Sequence, residues 1–473
     1  MRRVRSATTV DAGAGMKLNT RQAMATSRHQ VGRWCAVLVP ALLVLGGGVA
    51  GAAADVPTWG SRTVRVSISS SERQTNGPTY CCPAISAHGR HIAFESEATN
   101  LVAADTNGRV DVFVRDRFTG MTERVSVTSR GKQGNGDSGF ATMSDDGRYV
   151  AFFSDASNLA AGDTNGVPDV FVRDRARGTT HRVSLTSGNR QANGLSFDPN
   201  ISGNGRYVAF ISEASNLVPG DTNGLVDVFV RDLLKGETTR VSVSSAERQG
   251  DNISIGPVIS FSGRYTAFVS GATNLVRGDT NELFDIFLRD LRKGTTERVN
   301  VNSDEQQARG GDPFDTGFPE TISRNGRFVS FDSNATNLVP RDTNESFDVF
   351  VRDRRAGRTT RVSVDNAGRQ LDGHSLTGPM SENGRLVVFW TLPDRLVPGD
   401  PFRQENLFVR DRLKERTSLL TVGLGGAQAN DAHGGSDISA DGRHIAFFSF
   451  ASNLVRGDTN GEADIFVRDL TAR

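Results

Sequence analysis

Apolar residues in this chain come in short alternating runs rather than at helical spacing. "RYVAF" (206–210) and "DVFVRD" (227–232) are typical, and Gly, Asn and Asp separate such runs. That pattern predicts strands. In Val228-Phe229-Val230, consecutive side chains point to opposite faces, and both faces are apolar. Strands of this kind need cover on both sides.

The runs repeat. An acidic loop, "GDTNG" and its variants, has its Asp at 105, 163, 221, 279, 342, 400 and 458, spaced by 58 residues with one interval of 63. A second element, "ISGNGRYVAF" (201–210), begins 20 residues before that Asp in every copy. A third, "TTRVSVS" (238–244), follows every loop but the last, and a lone copy, "RTVRVSIS" (62–69), stands at the front. Each unit therefore holds four strands. Strand A ends in "IS", B is "RYVAF", C is "DVFVRD" and D is "TTRVSV". The A–B turns contain Asp146-Gly147, Asn204-Gly205, Asn325-Gly326, Asn383-Gly384 and Asp441-Gly442, pairs that supply the positive φ of a tight hairpin. The C–D turns carry Gly120, Gly178, Gly236, Gly294 and Gly357.

Seven such units predict an all-β fold, a seven-bladed β-propeller of four-stranded antiparallel blades. The lone front strand D pairs into the last blade, which lacks its own, and closes the ring. An open β-solenoid is the rival, but about 58 residues is long for one of its coils. The pattern P-x-I-S-x-x-G-R-x-x-A-F, D-[VI]-F-V-R-D and T-T-x-R-V-S resembles the WD40-like repeat of TolB-type propellers over residues 62–470. It is unlike the true WD40 unit, with no Trp-Asp pair ending its strands, and it misses the sialidase Asp-box, since "SADGRHIAF" (439–447) puts Gly directly after Asp and lacks the Trp. The resemblance implies an exported scaffold or interaction domain and names no partner.

Residues 1–54 differ from the rest. Arg33, an apolar run broken by Pro40 and Gly46, and small residues ending at Ala54 form a secretory signal with a long polar lead-in, to be removed. An uncleaved anchor is the alternative, and Met24 gives a more ordinary signal length. The propeller then occupies 55–473, and the expected location is secreted, extracellular or cell-envelope, periplasmic where there is an outer membrane. No α/β-hydrolase domain is expected after it. Charges nearly cancel, at 55 Lys plus Arg against 54 Asp plus Glu, so nothing favours nucleic acid or a membrane surface. Cys81 and Cys82 are adjacent and form no disulfide framework or Cys-x-x-Cys site; they read as small apolar residues on a strand.

The long B–C and D–A loops fall on one face, the short turns on the other, and the long-loop face is the candidate surface for a protein or glycan ligand. Two loops stand out there. The 63-residue interval inserts Phe314, Asp315 and Phe318, and the sixth acidic loop is replaced by a segment with Phe402 and Arg403. Aromatic and Arg residues are common interface anchors.

The acidic loops raise a metal question. Asp105, Asn107 and Asp111, Asp163, Asn165 and Asp169, Asp221, Asn223 and Asp227, and Asp458, Asn460 and Asp464 are oxygen donors suited to Ca²⁺. Aligned on an EF-hand, the loop lacks a ligand at the first and last positions, Ala161 and Val172 in one copy. Asp and Asn also shape turns without metal, and Asn406 replaces the second Asp in the sixth copy. Gly166 becomes Glu282 and Glu345 in two copies, which suggests that positive φ is not needed there. No cofactor is expected unless Ca²⁺ binds. Catalytic motifs are absent, and His374 and His433, on D–A loops of neighbouring units, are expected to be exposed rather than ligands. The expected protein is a monomeric, non-catalytic scaffold. A propeller lyase or hydrolase acting on an extracellular polymer, and a Ca²⁺-stabilised surface module, are the alternatives.

Overall fold

The computed structural model describes residues 62–80, 82–310, 321–391, 396 and 405–470. The segment 1–54 expected to be a signal, and Phe314, Asp315, Phe318, Phe402 and Arg403, lie outside these residues. The described residues form seven four-stranded antiparallel sheets. Blades are numbered 1 to 7 from the sheet that begins at Ala84. Blade 3 shows the plan: strand A Ser196–Ile201, B Tyr207–Ser212, C Asp227–Asp232 and D Glu237–Arg240, hydrogen-bonded in that order.

The ring closes as the displaced strand requires. The front strand Arg62–Arg65 pairs antiparallel with the last strand, Asp464–Asp469, as the D strand of blade 7. Ile92, Phe94 and Phe113 of blade 1 share a core with Ala446, Ile465 and Val467 of blade 7. Similar cores lie between other neighbouring blades: Ala151, Val170 and Val172 pack on Val208, Phe210 and Phe229. This is why strands B and C are apolar on both faces. Within each blade a Phe of strand B stacks on a Phe of strand C, as Phe210 does on Phe229 with centroids 5.9 Å apart.

Strands A contact one another around the ring and form its inner wall. Side chains stitch their seams. The N–H of Ile201 donates to Thr142 Oγ1 at 3.1 Å, that of Ile259 to Asn200 Oδ1 at 3.0 Å, and that of Met380 to Thr321 Oγ1 at 3.2 Å.

The A–B turns hold a second link between blades. Gly205 has φ +69°, and a Cβ there would meet the Tyr149 ring of the preceding blade at 2.4 Å. Gly326 stands in the same relation to Tyr265, and Gly384 to Phe328. This glycine therefore serves both the turn and the packing against the preceding blade. Arg206, which follows it, clamps Asp232 at the end of strand C at 2.9 and 2.7 Å.

Two sequence expectations need correction. Glu282 and Glu345 keep the positive φ of the glycine they replace, at +58° and +52°. The loop imposes that conformation, and the side chains tolerate it because no atom lies within 4 Å of a Cβ at the equivalent Gly166. Cys82 lies just before strand A of blade 1 rather than on it, half-buried with φ +72°; Cys81 is outside the described residues.

Candidate functional site

The B–C and D–A loops converge on one face, as their lengths require. Their shared feature is a guanidinium that sequence reasoning passed over. In blade 1, Arg124 of strand D reaches Asp105 at 2.8 Å and Asp111 at 2.9 Å. Blade 3 repeats this with Arg240 at 3.1 Å from Asp221 and 3.3 Å from Asp227. Arg182 lies 3.3 Å from both Asp163 and Asp169. Arg298 and Arg361 do the same for the carboxylates of blades 4 and 5. The front strand supplies blade 7, with Arg65 at 3.7 Å from Asp458 and 3.2 Å from Asp464.

Other side chains gather around the guanidinium. The second aspartate also accepts from a strand D hydroxyl: Ser242 Oγ donates to Asp227 Oδ1 at 2.5 Å. The loop asparagine turns inward. Asn107 Nδ2 donates to Asp111 Oδ2 at 2.8 Å and to the Gly134 carbonyl at 3.1 Å. Asn223 bonds Asp227 and Gly250 in the same way, and Asn165 bonds Asp169 and Ala192. Asn460 donates across the ring closure to Thr75. A D–A loop glutamine completes the set, with Gln191 Nε2 at 3.0 Å from both Asp163 and Asp169. Its recurrence at 74, 133, 191, 249, 307, 370 and 428 was the signal that could have found it.

Burial opposes the charge of the carboxylates in blades 4 and 5. It pushes Asp279 and Asp342 up to about 6, against the pull of Arg298 and Arg361. Asp464 is also pushed up to about 6. A cation between two such carboxylates would stand where the guanidinium stands. As folded, the donor set does not fit a resident Ca²⁺, which needs six to eight free oxygens.

Blade 6 carries the internal control. Leu419 takes the arginine's place in register with Phe408, and Asn406 takes the second aspartate's. The arginine and the second aspartate, the more deeply buried of its two anions, are thus lost together, while Asp400, the first aspartate of this copy, lies outside the described residues.

Four other carboxyls lie deep in the ring. Glu95 accepts from the N–H of Ala141 in the next blade, and burial pushes it up to about 8. Asp332 accepts from Thr377 and Asp437 from Ile85, and burial pushes each to about 7. Asp198, bonded to the Gly256 backbone, is pushed to about 6. These four bonds fall on four different blade seams.

The histidines do not form a pair in the structure. His374 Nδ1 accepts the Phe347 N–H at 3.1 Å. His433 is buried against Phe447, contrary to the expected exposure, and burial pushes its imidazole down to about 3. Among the described residues no three His, Cys, Asp or Glu side chains gather as a metal site. Beside Arg298 and Gln307 of blade 4 a shallow cavity of about 290 Å³ opens to solvent.

No protein-family model matches the chain, and no curated protein does. Solved propellers match it. An oligogalacturonate lyase in complex with manganese is 12% identical over 89% of this chain and 96% of its own, with a TM-score of 0.50. TolB from Acinetobacter baumannii is 15% identical over 72% of this chain, with a TM-score of 0.37, and the chain spans 63% of its length. The β-propeller domain of the Trilobed protease from Pyrococcus furiosus is 10% identical over 83% of this chain and 96% of its own, with a TM-score of 0.48. At such identities the likeness speaks for the propeller fold alone.

Proposed function

We propose that the chain is an exported, monomeric, non-catalytic propeller that binds a protein or glycan through its long-loop face. The supporting observation is how its loop carboxylates are used. In six blades they are held by strand D arginines, which leaves no assembled acid–base pair among the described residues of these loops. Contacts would come from the two irregular loops, with Phe314, Asp315, Phe318, Phe402 and Arg403 as anchors. Export rests on the signal in residues 1–54. Among the described residues no helix is long and apolar enough to cross a membrane.

Glycan-array binding by residues 55–473 tests this reading, alongside a Phe402→Ala/Arg403→Ala variant. Binding lost in that variant, with melting unchanged, supports it. Binding that survives loss of all five residues sinks the site. The enzyme reading is tested with oligogalacturonate, the substrate class named for the lyase of similar fold. Unsaturated product formed with added Mn²⁺ would replace the scaffold reading.

The acidic loops act as ion-paired corners rather than calcium sites in this reading. Millimolar Ca²⁺ and EDTA then give the same melting temperature, because a ligand that binds the folded state must raise it. A rise abolished by Asp163→Ala would overturn the assignment.

A further inference from the structure

On the short-turn face, the residue after the serine that ends strand A differs among blades: Asp145 in blade 2, Gly203 in 3, Phe261 in 4, Arg324 in 5 and Glu382 in 6. A periodic turn position gains nothing from such variety unless these side chains meet. They do. Arg324 Nη1 lies 3.0 Å from Asp145 and 2.7 Å from Glu382. Its guanidinium sits over the Phe261 ring, 3.3 Å from the centroid. Glycine at 203 is required by the same cluster, since a Cβ there would meet Asp145 Oδ1 at 2.4 Å and the Phe261 ring at 2.5 Å.

Blades 2 and 5 are as far apart as a seven-membered ring allows, so the Arg324–Asp145 contact crosses the axis. Backbone bonds join the same turns around the rim. The Ala87 N–H donates to the Asp145 carbonyl and the Asp145 N–H to that of Gly203, both at 2.9 Å; the Arg324 N–H donates to that of Glu382 at 3.0 Å.

We propose that Arg324 is a cross-ring latch: it fastens blade 5 to blade 2 over the axis and seals the short-turn end of the central channel. The channel is then a blind well, and a solute reaches its interior only from the long-loop face. The latch stands apart from the ligand reading, because it holds whether or not anything binds above.

The test compares Arg324→Met, Asp145→Asn and the double variant by melting and by hydrogen–deuterium exchange. Methionine keeps the apolar stem over Phe261 and removes the charge. Each single variant lowers the melting temperature by a few degrees, about what the loss of one partly buried ion pair gives in a chain this size. The double variant falls no further than the worse single one, as expected of coupled residues. Exchange at amides 145, 203–204 and 261 rises about tenfold while strand C amides stay protected, the signature of local opening. Should Arg324→Met not fold, Asp145→Asn and Glu382→Gln carry the same exchange readout with the arginine retained. Additive melting losses, or unchanged exchange at the turns, would overturn the latch.

Discussion

At the scale of single residues, the recurring charges of the loops and turns are answered inside the molecule. Arg240 answers Asp221 and Asp227, Arg206 answers Asp232, and blade after blade repeats the scheme. Truncating one partner of a buried pair strands the other. Arg240→Leu is expected to lower stability by roughly 3 kcal/mol. Adding Asp227→Asn should restore much of that loss, since Leu419 and Asn406 already coexist in blade 6. Urea unfolding of the single and double variants measures it, and a double variant no better than the single contradicts the pairing.

Two further outcomes belong to this scale. Glu282 at φ +58° bears a left-handed conformation that costs about 1–2 kcal/mol, less the unfolded-state freedom that glycine adds. Glu282→Gly should therefore raise stability by roughly 0.5–1 kcal/mol, and a loss in chemical denaturation would refute the strain. Burial of Glu95 raises its folded pKa to about 8 from the ordinary 4.5, so the fold favours its protonated form. That stability is complete below the unfolded value and disappears as pH rises through about 8, at no more than about 1.4 kcal/mol per pH unit. Asp332 and Asp437 add to the same trend up to about 7. Asp116 has the opposite sign: Arg90 holds it well below the carboxylate range, so its contribution is lost only in strong acid. The melting temperature should fall from pH 5 to pH 9, and Glu95→Gln should flatten that fall. A variant with the wild-type slope would show that Glu95 does not titrate there.

At the scale of the element, the A–B hairpin links one blade to the next. Its sequence signal, Asn-Gly or Asp-Gly, announces the turn. It does not announce that the glycine touches the preceding blade. Gly205→Ala meets both the positive φ and the Tyr149 ring, and is expected to lose roughly 2–4 kcal/mol. At Gly166, with the same sign of φ and no neighbour within 4 Å, alanine bears only the backbone strain. Comparing the two by denaturation separates turn from packing, and equal losses would show that blade contact contributes nothing at 205.

At the scale of the whole molecule, closure rests on the pairing of Arg62–Arg65 with Asp464–Asp469. That strand also brings Arg65 to Asp458 and Asp464, and Ser67 to Asp464. A chain beginning at Ser70 would leave an open strand edge and an unpaired acidic loop. It should melt well below the chain that begins at residue 55, or associate through the edge. Scanning calorimetry and light scattering check this, and an unaltered monomeric transition would mean the ring closes without the strand.

The sequence by itself determined the repeat, the four strands of each unit, their turns and the ring closure. Those follow from period, alternation and turn chemistry, which are local or strictly periodic signals. The donors of the acidic loops were legible too, but not their neighbours. Arg124 lies 13 residues beyond Asp111, and Gln191 28 beyond Asp163, and only strand pairing and the return of the D–A loop bring them together. The seam carboxyls and the contact of Arg324 with Asp145 across 179 residues depend on blades meeting in space. A periodic sequence states what each blade is, and the residues that break its period acquire partners only when the ring closes.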